Sequence, residues 1–160
     1  MKKIGILLIV IFISVTTGFA QDYDKSIGTS LNYGTYMKGL GWGFRYQQHF
    51  SEKFRIAPQI TYFFNGSGRQ GWEMSGDAHY LFNLENEKAK LYPILGVTLL
   101  IVNFKEGTRS DLSKNKVGIN LGAGGQYDLS SRFALFGEVK YAVVSSPGQA
   151  AIAAGVAYKF

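Results

Sequence analysis

The stretch Phe133-Ala134-Leu135-Phe136-Gly137-Glu138-Val139-Lys140-Tyr141-Ala142-Val143 puts Phe133, Leu135, Val139, Tyr141 and Val143 on one side, and Ala134, Phe136, Glu138 and Lys140 on the other. A period of two is the signature of a strand and not of a helix. The same alternation recurs up and down the chain. Trp42, Phe44, Tyr46 and Phe50 oppose Gly43, Arg45, Gln47 and His49. Trp72, Met74, Ala78, Tyr80 and Phe82 oppose Glu73, Ser75, Asp77 and His79, and Ile152, Val156, Tyr158 and Phe160 oppose Gly155 and Lys159. In each case one face is bulky and aromatic while the other is mostly charged, amide-bearing or tiny.

Eight such segments follow one another: Ser26 to Met37, Leu40 to Phe50, Lys53 to Phe64, Gly71 to Phe82, Lys90 to Phe104, Lys116 to Leu129, Arg132 to Val144 and Gln149 to Phe160. They are about twice as long as the usual globular strand of about five or six residues. At about 3.3 Å per residue and a tilt near 45°, 12 residues climb roughly 28 Å, close to the thickness of a bilayer's hydrocarbon core. The connections Ser51-Glu52, Asn83 to Ala89 and Ser130-Ser131 alternate with Lys38-Gly39, Asn65 to Gln70, Lys105 to Asn115 and Ser145 to Gly148. Short turns on one side and longer loops on the other are the habit of membrane barrels, and an even strand count puts both termini at the same end.

Alternation alone would also suit a lipocalin, so the volume of the interior has to decide. Eight strands enclose little more than the space their own inward side chains fill. Tryptophans and phenylalanines from every strand would overfill it, whereas glycine, serine and a few paired charges fit. The aromatic face is therefore expected to point outward into lipid, with Tyr, Trp and Phe near the strand ends forming interfacial girdles. The predicted fold is all-β, an eight-stranded antiparallel up-and-down transmembrane β-barrel. The segment from Leu91 to Val102 is apolar on both faces, so alternation cannot set its register; Pro93 and the β-branched residues favour a strand over a buried helix.

Outside this frame lies the N-terminus. Lys2 and Lys3, the apolar run Ile4 to Val15, and Gly18-Phe19-Ala20 have the layout of a secretory signal peptide, with cleavage expected after Ala20. Residues 1–20 are thus read as a cleaved leader and 21–160 as one barrel domain. Without Lys2 and Lys3 the net charge of +6 falls to about +4. No basic cluster or RNA-binding motif accompanies that charge, so nucleic acid is not an expected partner. Cys is absent, which rules out disulfides and thiolate metal sites, and no cofactor or metal is implied.

The run from Gly122-Ala123-Gly124-Gly125 through the turn at Ser130-Ser131 to Glu138-Val139-Lys140-Tyr141 resembles the Gly-rich strand, short turn and return strand of small OmpA/OmpX-like outer-membrane β-barrel domains. The layout of all eight strands is similar to that family. Its loose motifs specify a fold far better than an activity. The resemblance implies a place in the outer membrane of a Gram-negative cell, and Tyr158 and Phe160 are similar to the C-terminal signal such proteins present to the barrel-assembly machinery. It also implies contact with outer-membrane lipid and lipopolysaccharide, as a monomer.

Candidate sites follow from the predicted facing. Arg45, Arg55, Lys140 and Lys159 with Glu73, Asp77, Asp128 and Glu138 would share the closed interior, where unpaired charge costs several kcal/mol, so they are expected to pair. Asn32, Gln47, Gln59, Asn120 and Gln126 would fill the rest. Lys38, Arg69, Lys105, Arg109, Lys114 and Lys116 would gather at the outer rim, at the height of lipopolysaccharide phosphates.

An enzyme is disfavoured. The histidines His49 and His79 fall toward the end opposite the loop serines Ser67, Ser110, Ser145 and Ser146, so a loop hydroxyl would have no general base. Gly122-Ala123-Gly124-Gly125 is not a phosphate loop, because Tyr127 replaces the glycine a dinucleotide site needs and no helix follows. Small residues beside bulky lumen partners explain it better. The expected role is structural or interactive: outer-membrane integrity, lipopolysaccharide contact, or adhesion through the Lys105 to Asn115 loop. A narrow porin-like channel is the alternative, with a lipid-A-modifying enzyme behind it.

Overall fold

The structure, a computed structural model, describes residues 25–66, 68–84, 88–104, 112–144 and 148–160. The strands are β1 (Lys25–Gly34), β2 (Gly39–His49), β3 (Phe54–Gly66), β4 (Arg69–Tyr80), β5 (Phe82–Asn83), β6 (Ala89–Phe104), β7 (Leu112–Asp128), β8 (Phe133–Val144) and β9 (Gln149–Lys159). Apart from β4 and β5, consecutive strands pair antiparallel, β9 pairs with β1, and β4 pairs with β6, so the sheet closes on itself. β5 is not a ninth stave. It continues the β4 register against β6, from His79↔Ile94 to Phe82↔Leu91, past a gap opposite Pro93, whose nitrogen has no hydrogen to donate. The result is a closed barrel of eight staves. Closure leaves no open sheet edge along the lipid-crossing part of the wall, as a bilayer without water demands.

The side chains are inside-out relative to a soluble barrel. Trp42, Trp72 and Tyr141 are 58%, 42% and 51% exposed, while Arg45 and Glu138 are 1% and 3% exposed. Leu91, Leu95 and Val97 look outward, which sets the register that the sequence left open in β6. Tyr92, Ile94, Thr98, Leu100 and Val102 are accordingly buried in the lumen.

Two strand ends differ from expectation. β1 stops at Gly34, because Thr35–Lys38 form a four-residue turn in which Lys38 takes a left-handed φ of 50°; the tight Lys38-Gly39 connection is thus longer than its composition implied. β7 begins at Leu112, four residues before the expected Lys116, because 112–115 pair with Ile101–Phe104 and lengthen the hairpin. At the end that holds the termini, two turns use one device. Ser51 Oγ accepts the Phe54 N–H at 3.0 Å and Ser130 Oγ accepts the Phe133 N–H at 3.1 Å, each turn closed by a serine three positions before an outward Phe. A serine hydroxyl that caps its own turn in this way is why Phe-Ser-Glu-Lys-Phe and Leu-Ser-Ser-Arg-Phe both reverse the chain.

Inward glycines set where inward aromatics go. A Cβ on Gly124 would stand 2.5 Å from Tyr92 Cε2 and 2.8 Å from Glu138 Cγ. One on Gly155 would stand 2.5 Å from Phe136 Cζ, and one on Gly41 would stand 2.9 Å from Phe63 Cδ1. The Gly-rich run of β7 is therefore packing space, not a ligand loop.

Gly124→Leu should force Tyr92 from its place and destabilise the barrel by about 1–3 kcal/mol, the usual cost of overpacking. Gly137→Leu, on the lipid face with no atom nearer than 3.9 Å to the new Cβ, should stay within about 0.5 kcal/mol. Urea unfolding in lipid vesicles, followed by tryptophan fluorescence, measures both.

Candidate functional site

The lumen is filled in layers. At the far end from the termini, Tyr36 and Met37 of the first turn fold inward and pack with Phe63, Leu100, Val102, Ala142 and Val144. Near the terminal end Leu81, Tyr92 and Ile94 make a smaller apolar cluster. Between them lies a polar middle. Beside the Leu91 to Val102 strand, other staves and the first turn supply much of the apolar packing, because their inward ends carry Phe63, Val144 and Met37.

At the centre, Arg45 of β2 reaches across to Glu138 of β8 and grips it with two parallel hydrogen bonds, 2.6 Å from Nη1 to Oε1 and 2.5 Å from Nη2 to Oε2. Its Nε also donates to Gln59 Oε1 at 2.9 Å, and its guanidinium lies 4.4 Å from the centre of the Phe136 ring. Glu138 Oε1 accepts a third bond from the Tyr92 hydroxyl at 2.9 Å. Fork-to-fork geometry suits arginine, whose donors are planar and preorganised. Toward the far end, Lys140 Nζ donates to Asp77 Oδ2 at 2.8 Å and Asn120 Nδ2 to Asp77 Oδ1 at 2.8 Å. Beyond them Gln149 Nε2 donates to Glu73 Oε2 at 2.7 Å. Toward the terminal end, Arg55 Nη1 donates to Gln126 Oε1 at 2.6 Å and Arg55 Nε to His79 Nδ1 at 3.0 Å.

The eight candidate lumen charges are thus separated into distinct contacts. Arg45 with Glu138 and Lys140 with Asp77 are buried ion pairs. Asp128 and Lys159 meet at 2.7 Å in a partly exposed rim at the terminal end, with Lys90 at 3.3 Å. Glu73 and Arg55 have amide or imidazole partners instead. The amides Asn32, Gln47, Gln59, Asn120 and Gln126 are all buried inside. His79, on the inward face with Glu73 and Asp77, joins this network, and Tyr92 and Gln149 are members that alternation along the sequence did not place. Tyr92 was hidden by a strand apolar on both faces, although its place opposite Gly124, a glycine flanked by inward Gly122 and Gln126, was a usable signal.

At the far rim, Lys38 and Lys114 are exposed. Arg69 and Lys116 turn inward instead: Arg69 Nη1 donates to the Tyr36 carbonyl at 2.6 Å, and both cations lie against the Tyr36 ring, at 4.9 and 4.3 Å. The ring of the first turn therefore collects two of the charges expected to face lipopolysaccharide, a cation–π arrangement that spacing along the chain does not reveal. Lys105 and Arg109, and the loop serines Ser67, Ser110, Ser145 and Ser146, lie outside the described residues. His49 and His79 sit toward the terminal end, and the imidazole of His79 stacks on Tyr92 at 4.7 Å. At the seam, Phe160 N–H donates to Lys25 O at 2.9 Å, and Tyr158 packs against Phe133 at 5.3 Å.

Removing one partner of the central pair leaves the other charged and buried, so Arg45→Met should destabilise the barrel by about 3–5 kcal/mol. The double change Arg45→Met with Glu138→Leu should recover most of that loss. Equilibrium unfolding in a double-mutant cycle reads the coupling directly.

Residues 7–160 match the family described as outer membrane protein beta-barrel domain. Among solved structures, the N-terminal β-barrel domain of Pseudomonas aeruginosa OprF is similar at 16% identity and a TM-score of 0.75, covering 86% of this chain and 98% of that one. Neisserial surface protein A is similar at 17% identity and a TM-score of 0.70, covering 89% and 100%. Ail, the attachment invasion locus protein of Yersinia pestis, is similar at 19% identity and a TM-score of 0.64, covering 88% and 100%. A comparison with curated proteins gives no match.

Proposed function

The chain belongs to the outer membrane protein beta-barrel domain family, and from that premise we propose that it is a non-conducting barrel with a structural or interactive role in the outer membrane. Residues 1–20 serve as its export leader, cleaved after Ala20, and 21–160 form the domain that inserts as a monomer. Tyr158 and Phe160, at the closing seam, are the signal offered to the assembly machinery. Both termini face the periplasm, which puts the Tyr36 turn and the β6–β7 hairpin on the cell surface.

One observation carries the reading: Arg45 and Glu138, from two non-adjacent staves, meet across the lumen at hydrogen-bond distance, between an apolar cluster above and another below. Such a stack supports a plug in place of a channel. A barrel with nothing to conduct acts through its surfaces. The lipid-facing band holds the outer leaflet, and the basic rim of Lys38 and Lys114, with Lys105 and Arg109 of the adjoining loop, offers charge-assisted contacts to lipopolysaccharide phosphates. The Lys105 to Asn115 loop supplies the adhesive contact. Ail, similar in fold, has been solved in complex with the heparin analogue sucrose octasulfate, which supports a polyanion as the kind of partner this rim takes.

The purified protein in planar bilayers should show no stepwise conductance; discrete open steps in the unmodified barrel would end the proposal. For the rim, Lys38→Glu with Lys114→Glu should weaken binding to lipopolysaccharide-containing vesicles by roughly tenfold or more, at about 1 kcal/mol per basic residue near a charged surface. Unchanged binding would remove lipopolysaccharide from the proposal.

A further inference from the structure

Arg55 is a fully buried cation that makes no ion pair among the described residues. Its Nε–H donates to His79 Nδ1 at 3.0 Å, and its Nη1 donates to Gln126 Oε1 at 2.6 Å and, more weakly, to Gln47 Oε1 at 3.4 Å. Among the described residues its Nη2 has no partner. Because His79 Nδ1 accepts a bond, the neutral ring carries its hydrogen on Nε2, and that atom is also unpartnered. So is Gln47 Nε2, on the stave next to Arg55.

Every unused valence in this group is therefore a donor. Nearby acceptors are already engaged: Gln47 Oε1 takes Ser26 Oγ at 2.8 Å, and Glu138 is held by Arg45 and Tyr92. A water molecule could accept here, but it brings two hydrogens of its own to place and leaves the charge on Arg55 uncompensated. An anion has none to place, and it would compensate the charge on Arg55. We infer that the terminal half of the lumen binds a small inorganic anion of chloride size, held by Arg55 with Gln47, beside the His79 ring that fixes the Arg55 Nε edge. The Tyr92 ring, 4.5 Å beneath the Arg55 guanidinium, keeps that group in place.

The full-length barrel, folded in lipid, would be unfolded with urea in sodium chloride, sodium bromide and sodium gluconate at one ionic strength, and crystals grown in bromide would be measured for anomalous scattering. The expected result is a higher unfolding midpoint in either halide than in gluconate, saturating with halide concentration, and a bromide peak within hydrogen-bond reach of Arg55 Nη2. Gln47→Glu places a carboxylate beside Arg55 while keeping its charge compensated, so it separates anion binding from folding. That variant should fold, lose the halide dependence and lose the peak. Equal midpoints for the unmodified protein in halide and gluconate, water alone in the density, or a halide response that survives Gln47→Glu would overturn the inference.

Discussion

A ring of eight staves leaves a lumen no wider than the side chains that point into it, and everything else in this molecule answers to that limit. The wall sits in a medium without water, so its backbone groups must be satisfied by neighbouring strands, which closure through β9 to β1 and β4 to β6 provides. The charges that cannot face lipid must then share a small volume with one another. Arg45 on β2 and Glu138 on β8, with β1 and β9 between them round the wall, meet inside that volume.

Glycine distribution is the counterpart of that limit. Tyr92, Phe136 and Phe63 enter the lumen only where Gly124, Gly155 and Gly41 face them across the packing. The aromatics in turn shape the polar groups. Phe136 lies under the Arg45 guanidinium and Tyr92 under that of Arg55, so each buried arginine has a flat apolar floor as well as hydrogen-bonded edges. The apolar clusters at both ends of the lumen keep this polar middle away from bulk water, which makes pairing stricter and unpaired donors more informative.

Much of the fold was legible because alternation with one bulky and one charged or tiny face has few solutions. Trp42, Arg45, Trp72, Glu73, Glu138 and Tyr141 could be assigned to their faces from period two alone. The β6 strand could not, since Leu91 to Val102 is apolar on both sides and either register buries similar groups. The first turn was misjudged for a different reason. Lys38-Gly39 reads as a tight reversal, but Tyr36 and Met37 are drawn into the mouth of the barrel by apolar partners from three other staves. In the lumen, charge type was readable while pairing was not: Asp77 takes Lys140, and Arg55 takes a histidine and amides, although an acid was equally expected.

Composition and periodicity alone determined that these are long, two-faced strands in even number, with their aromatic side toward lipid, because facing depends only on parity along one stave. The tertiary structure decided which inward groups touch. Partners such as Arg45 and Glu138 lie 93 positions apart, and their contact depends on the stagger accumulated around the whole ring, a quantity no single strand contains.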